Sequence, residues 1–517
     1  MAAVAASRWP VAGPRADRAA RAVDAALVAA LTAGSVAPRA PGLDHRLWMD
    51  EGIAVGIASH PLARIPQVLR LDGSPPLYYA LLHGWMGVAG RSEVAVHLLS
   101  VVLAGLCVPA AWWAGRAAAD RRTARVLAAL VAASPFVAAY AREARMYTLV
   151  VLLGLVCVGC FASAYVRGRR RHRLPFAIAL ALLLYTHNWA LFLGAGLALA
   201  FAVAMRAAPP PQRPGLLRDG LAGFGLAAAL YLPWVPSLVA QARHTGAPWA
   251  TVPGVGALTA VPAALFGGTA ATLVVALAAG AGLARARGQR ALAIALAAAA
   301  LVPPVLGWLL SQVTPAWTER YLAVVVAPAL LLAAVGIARA GRAGVAALAS
   351  VVALWGTAGA AAPTSDAFAI ADEARPMLRA GDLVVSTEPE QVPLLAYYLP
   401  RSLRFASAFG PAGDTGVADW RDAVRHLERT SVSGQLVPLL DRVPAGRSVM
   451  LVVPVGDDRA AWPTSWARGL HARAAAEEAA LDADRRFVPV AGLPRGGGTQ
   501  PLRALVFRRR RTGAPTR

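Results

Sequence analysis

Carboxylates are the most informative chemical groups in the first 362 residues of this 517-residue chain, which hold only eleven of them. A carboxylate beside hydrocarbon is costly and usually has a task, so each one is informative. Asp50-Glu51 stands in Leu-Trp-Met-Asp-Glu-Gly. A carboxylate there can take the proton of an approaching hydroxyl; it can equally open a helix as a capping pair. Asp72 leads Asp-Gly-Ser-Pro-Pro-Leu-Tyr-Tyr, where Asp-Gly and Pro-Pro impose a turn before an apolar run. Glu143 lies between Arg142 and Arg145 and ahead of Tyr147 in Ala-Arg-Glu-Ala-Arg-Met-Tyr. Guanidinium forks grip phosphate oxygens in pairs, and the same arginines can instead pair with Glu143. Arg320, beside Glu319 in Trp-Thr-Glu-Arg-Tyr, is a further phosphate ligand by type. Interface anchoring is enough to explain Trp317 and Tyr321. His187, in His-Asn-Trp, is either a satisfied interfacial histidine or a site residue. Cys157-x-x-Cys160 falls mid-helix in apolar surroundings and is read as neither a metal nor a redox motif. With Cys107 also in an apolar run, no disulfide scaffold is available. No Gly-rich phosphate loop, serine elbow or His-Glu-x-x-His zinc motif is present.

What must hold these residues is a membrane domain. The chain is 57% hydrophobic and 15% charged, against about 25% charged in soluble domains. Eleven apolar stretches near bilayer-spanning length centre on Leu31, Leu103, Leu130, Val156, Leu182, Ala198, Leu230, Val275, Leu301, Leu330 and Val352. Their connecting loops divide the arginines unequally: 21 fall on one side and nine on the other. The positive-inside rule puts the N-terminal segment 1–21 in the cytoplasm and everything after Ala362 outside. The first apolar run also fits a cleaved signal peptide ending near Ala37, which would leave the later orientation unchanged. Most of the +23 net charge is thus a topology signal, and no nucleic-acid partner is expected. Asp17, Asp24, Asp120 and Asp219 fall among the cytoplasmic arginines, where charge balance explains them. The other seven carboxylates, Asp44, Asp50, Glu51, Asp72, Glu93, Glu143 and Glu319, gather on the outer face. A transporter would place some at mid-bilayer; none is expected there.

The expected organisation is a transmembrane domain over 22–362 with a large outer loop at 38–92, then an extracytoplasmic α/β domain over 363–517. The outer loop is semi-apolar around Pro75 to Val88, which suggests helices lying in the interface. In the tail, strand-like runs (Leu383–Ser386, Ser448–Val453, Leu502–Phe507) alternate with helix-like ones (Gln391–Tyr398, Trp420–Arg429, Ala467–Ala480). Arg508 to Arg511 reads as a frayed basic terminus.

The order Asp-Glu, Pro-Pro-Leu-Tyr-Tyr, Arg-Glu-Ala-Arg-Met-Tyr resembles the polytopic lipid-dependent glycosyltransferases of GT-C fold, nearest the bacterial relatives of the dolichyl-phosphate-mannose protein mannosyltransferases (family 39). The likeness covers about Leu47 to Trp189, with Arg320 to Leu322 similar to a late loop. It implies an all-α polytopic membrane protein of about 11 transmembrane helices. It also implies an inverting transfer of mannose, or another hexose or pentose, from a polyprenyl-phosphate donor. Asp50, assisted by Glu51, would be the base acting on a protein, lipid or polysaccharide hydroxyl at the outer face of the plasma membrane. Asp72, Arg142, Glu143, Arg145, Tyr147, His187, Glu319 and Arg320 would bind substrate, and membrane lipids would surround the whole. The sequence departs from the pattern at His97, where relatives often have arginine, and at Tyr147, where many have a second aspartate. A two-carboxylate divalent-metal site would therefore need Glu143 or Glu51 in the aspartate's place. The other readings are a transporter or flippase of lipid-linked envelope precursors and a non-catalytic, glycan-binding envelope scaffold.

Overall fold

The computed structural model describes residues 14–356, 364–456, 462–493 and 499–511. The expected boundary at 362/363 and the residues before Pro14 lie outside them, as does the side chain of Asp17. All eleven apolar centres fall within helices. The helical part begins with α1 (Pro14–Val36), followed by three helices of the expected large loop: α2 (Met49–Ala58), α3 (Ile65–Asp72) and α4 (Leu77–Ala89). Next come α5 (Glu93–Ala118), α6 (Arg121–Ala133), α7 (Pro135–Tyr140) and α8 (Tyr147–Phe161). Then follow α9 (Arg173–Leu184), α10 (Ala190–Ala207), α11 (Arg213–Tyr231) and α12 (Val235–His244). The helical part closes with α13 (Val255–Phe266), α14 (Thr269–Arg285), α15 (Arg290–Ser311), α16 (Ala323–Ile337) and α17 (Arg342–Gly356).

Among the described residues seven segments are long and apolar enough to cross a membrane, and α13 with α14, bent by 80°, form either a broken eighth span or a re-entrant loop. The protein is a multi-pass membrane protein. Three of the eleven expected stretches, α6, α9 and α17, are shorter helices of 13, 12 and 15 residues. At 1.5 Å per residue they fall short of a hydrocarbon core about 30 Å thick. Burial sorts the rest. In the most apolar stretch of α16, 83% of residues are buried inside the protein, whereas in α1 the share is 11%. The first is central and the second peripheral. Small residues allow the tight packing that association in lipid depends on. Gly282 of α14 and Gly336 of α16 meet so closely that a Cβ on Gly282 would overlap the Gly336 carbonyl oxygen.

The charge balance expected among the arginines is present as ion pairs: Asp24 with Arg121 and Arg125, Asp120 with Arg339, and Asp219 with Arg173.

The tail folds as expected around one mixed sheet. Its elements are α18 (Ala367–Ala374), β1 (Leu383–Ser386), α19 (Val392–Tyr398), β2 (Arg404–Ser407), β3 (Gly410–Pro411) and α20 (Ala423–Arg429). They continue with α21 (Val432–Asp441), β4 (Ser448–Pro454), α22 (Ser465–Ala483), β5 (Phe487–Leu493) and β6 (Leu502–Arg509). The strand order is β3-β2-β1-β4-β6-β5, with β1 parallel to both β2 and β4. Alternation along the strands sends side chains to two cores. Val384, Met450, Val452, Ala504 and Val506 join the core that is continuous with the membrane helices. Leu383, Val385, Val449, Leu451 and Phe507 pack beneath α21 and α22 in a second core. Arg508 and Arg509 correct the expectation of a frayed terminus. Both are paired residues of β6, opposite Ser448 and Phe487.

Candidate active site

Asp50 and Glu51 are the second and third residues of α2. Adjacent helical residues point about 100° apart, and here they part completely. Glu51 is fully buried and turns back into the protein. Its Oε2 accepts the Trp48 amide (3.1 Å), and its Oε1 accepts the Ala144 amide (2.8 Å) and His97 Nε2 (2.9 Å). His97 Nδ1 meets the Leu43 carbonyl at 2.8 Å, so both ring nitrogens face acceptors, the pattern of an imidazolium–carboxylate pair. Glu51 thereby ties α2 to α5 and to the Arg142–Arg145 loop.

Asp50 faces the opposite way, into a cluster of long polar side chains. Arg320, in the turn before α16, places Nη1 2.5 Å from Asp50 Oδ2. Arg145 Nη2 lies 3.8 Å from the same oxygen, while Nη1 donates to the Asp50 carbonyl at 3.2 Å and to Tyr79 Oη at 3.5 Å. Burial alone would raise the Asp50 pKa, but the two guanidinium charges and the Arg320 hydrogen bond outweigh it and hold it below the usual carboxylate value. Asp72 ends α3, and Gly73 (φ 99°) turns the chain away where a Cβ would press on Thr245. Burial raises the Asp72 pKa despite a hydrogen bond with Ser74 and the Arg145 charge. Glu143 has an unpartnered Oε2, and burial followed by the Glu51 charge pushes it up to about 8. Its neutral form is thus the favoured one near pH 7. Burial, then the charges of Arg145 and Arg320, push His187 down to about 3, so its ring is neutral too. Its Nδ1 accepts the Trp189 amide at 3.1 Å, and its ring meets Tyr321 at 4.8 Å and Tyr147 at 6.2 Å.

Asp50, Asp72, Glu143, Arg145, Tyr147, His187 and Arg320 therefore share one locale. Besides Glu51, two expected residues point elsewhere. Arg142 lies against Gly42 and near His45. Glu319 is exposed and lines a separate cavity of about 380 Å³ with Trp317, Leu322 and α13. Tyr79 and Tyr321 join the cluster without having been singled out for chemistry. Their signals were the Tyr-Tyr after Pro-Pro and the aromatic after Arg320, both of which a membrane interface also explains.

The arrangement offers two guanidiniums sharing one carboxylate, so an incoming anion finds cations already assembled. It does not fit a divalent metal. Asp50 is already held by the Arg320 and Arg145 guanidiniums, which oppose a further cation on its oxygens. Among the described residues, His45, Glu51 and His97 form the group close enough to share an ion. The Glu51 oxygens already accept from two backbone amides and His97, and His97 Nδ1 is held by Leu43.

No family model matches the sequence, and no curated protein matches it. Solved structures do. Apo ArnT from Cupriavidus metallidurans aligns at 14% identity with a TM-score of 0.63, over 94% of this chain and 98% of that one. The same protein bound to undecaprenyl phosphate aligns at 14% and 0.56, over 93% and 98%. The apo oligosaccharyltransferase of Archaeoglobus fulgidus aligns at 10% and 0.52, over 74% and 64%. At these identities the likeness is one of fold, and it agrees with the order of motifs in the sequence: the chain has the GT-C fold.

Proposed function

We propose that the protein is an inverting glycosyltransferase that moves a sugar, mannose or another hexose or pentose, from a polyprenyl-phosphate donor to an acceptor hydroxyl. The convergence of Arg145 and Arg320 on Asp50 carries this reading. A carboxylate held below its usual pKa is a weak base, so the resting site is masked. A donor phosphate draws both guanidiniums onto its oxygens, where they stabilise the charge that grows as the phosphate leaves. Asp50, relieved of them, recovers basicity and takes the acceptor proton. The acceptor oxygen forms its bond to the anomeric carbon from the face opposite the phosphate. The carbon–oxygen bond to the phosphate breaks, and its electron pair leaves with polyprenyl phosphate. Tyr79 and Tyr147 flank Arg145 and Arg320, and neutral His187 adds no positive charge to compete for the phosphate. Glu51 positions Asp50 and the Arg142–Arg145 loop.

The arginine distribution supports a cytoplasmic N-terminus, with the site and the 363–517 domain on the outer face of the plasma membrane. Likeness to a protein solved with undecaprenyl phosphate supports a lipid-phosphate donor. The test is transfer from labelled polyprenyl-phosphate mannose and polyprenyl-phosphate pentose donors to envelope material, using the purified protein in liposomes. Wild type should transfer label with inversion, and folded Asp50→Asn should not. Transfer by Asp50→Asn at the wild-type rate would overturn the assignment.

A further inference from the structure

The C-terminal domain places its own polar residues against the same helix that carries Asp50. Parallel strand β1 is flanked by β2 on one side and β4 on the other, and the chain leaves its carboxyl end as the loop Thr387–Gln391. In parallel sheets, ligands sit outside the carboxyl ends of the strands where neighbouring connections diverge. Here that end, continued by α19, abuts α2. A Cβ on Gly52 would lie 2.7 Å from Leu394 Cβ, and Gln500 Nε2 approaches Met49 Sδ at 3.7 Å.

The polar groups of this seam are incompletely satisfied. Trp466 Nε1 donates to Glu390 Oε1 at 3.2 Å, and Thr387 Oγ1 donates to Glu477 Oε2 at 2.5 Å. Glu390 Oε2, Gln391 Oε1 and Gln500 Oε1 have no partner, although Glu390 and Gln391 are only 5% and 1% exposed. Leaving such a buried group unpaired costs about 1–3 kcal/mol, so these three clustered atoms favour a polar partner that can reach them together. Burial, then the charge of Glu388, push Glu390 up to about 8, and the packing of Leu394 on Gly52 sets this seam two residues along α2 from Asp50. A protonated Glu390 offers an O–H, while Gln391 and Gln500 offer carbonyl oxygens. A phosphate could use only the first and an ammonium only the second. Hydroxyls both donate and accept, and serve all three.

We propose that this seam is the acceptor subsite, in which Glu390 and Gln391, with Gln500 at the edge, bind hydroxyls of a glycan while a further hydroxyl of that glycan reaches Asp50. The acceptor class is then a saccharide. The inference rests on Asp50 being the base, but its binding step does not need Asp50 to work.

The test uses the full chain in lipid nanodiscs without donor. Binding of methyl mannoside, glucoside, galactoside and arabinoside is followed by saturation-transfer NMR and by the emission of Trp466, compared with a Trp466→Phe control. Wild type should bind at least one glycoside. Glu390→Met and Gln391→Met, shown to be folded by their thermal unfolding, should bind it about tenfold more weakly. Asp24→Asn, on the far side of the bundle, should bind it like wild type, and transfer by Asp50→Asn is assayed apart from this binding, so the two assignments fail separately. Absence of binding across the panel, or equal binding by both methionine variants, would overturn the subsite.

Discussion

Asp24 and Asp50 each sit between two arginines, at opposite faces of the bundle, and only one of them looks built for chemistry. Arg121 and Arg125 hold the Asp24 oxygens at 2.7 Å each, with side chains 29% and 39% exposed. Water and salt screen such cations, so Asp24 simply joins α1 to α6. Arg320 and Arg145 hold Asp50 while only 18% and 12% exposed. Behind them stand Tyr79, Tyr147, neutral His187, and the carboxyls of Glu143 and Asp72, both of which burial pushes toward the neutral form. The ion triad is the same in both places. What distinguishes a site is a buried pair of cations among groups that burial disfavours from ionising.

That contrast can be broken experimentally. The largest effect should come from Arg145→Gln combined with Arg320→Gln, which removes both phosphate ligands. Loss of preorganised charge stabilisation of this kind lowers kcat/KM by about 10³-fold or more. Arg142→Gln, aimed at Gly42, should change it by less than about fivefold; a steady-state comparison of the two preparations checks both. Asp24→Asn should leave transfer intact yet lower stability by about 1–2 kcal/mol, read from detergent-dependent unfolding, because it leaves two partly exposed arginines without their acceptor. The smallest effect concerns pH. Burial and the Glu51 charge push Glu143 up to about 8, so raising pH through that value should add a negative charge beside the arginines. Donor kcat/KM should fall severalfold above pH 8, and Glu143→Gln should flatten the profile.

Much of this contrast was legible in the sequence. Arginines at 142 and 145 defied the charge rule, and carboxylates at 50, 72 and 143 sat where lipid headgroups would meet them. Separating Arg142 from Arg145 was beyond reach. They lie in a non-helical turn with no fixed period, and Gly42, one hundred residues away in the chain, decides where Arg142 points. The divergence of Asp50 from Glu51 does follow from helical geometry once α2 is assigned. In the tail, β1, β4 and β6 formed where the strand-like runs stood. Two-residue β3 and bulged β5, with its register shift between Pro489 and Ala491, carry too little period to read. Glu390 went unnoticed for another reason. Its importance comes from docking on α2, a contact between distant parts of the chain that no local pattern announces.

Equilibrium binding of undecaprenyl phosphate to the protein in nanodiscs probes the shared arginines most directly. If Asp50 masks them at rest, Asp50→Asn should bind the lipid phosphate about tenfold more tightly than wild type while transferring no sugar. The Arg145→Gln, Arg320→Gln pair should lose that binding. Weaker binding by Asp50→Asn, or wild-type binding by the double variant, would contradict the exchange of arginines between carboxylate and phosphate on which the mechanism depends.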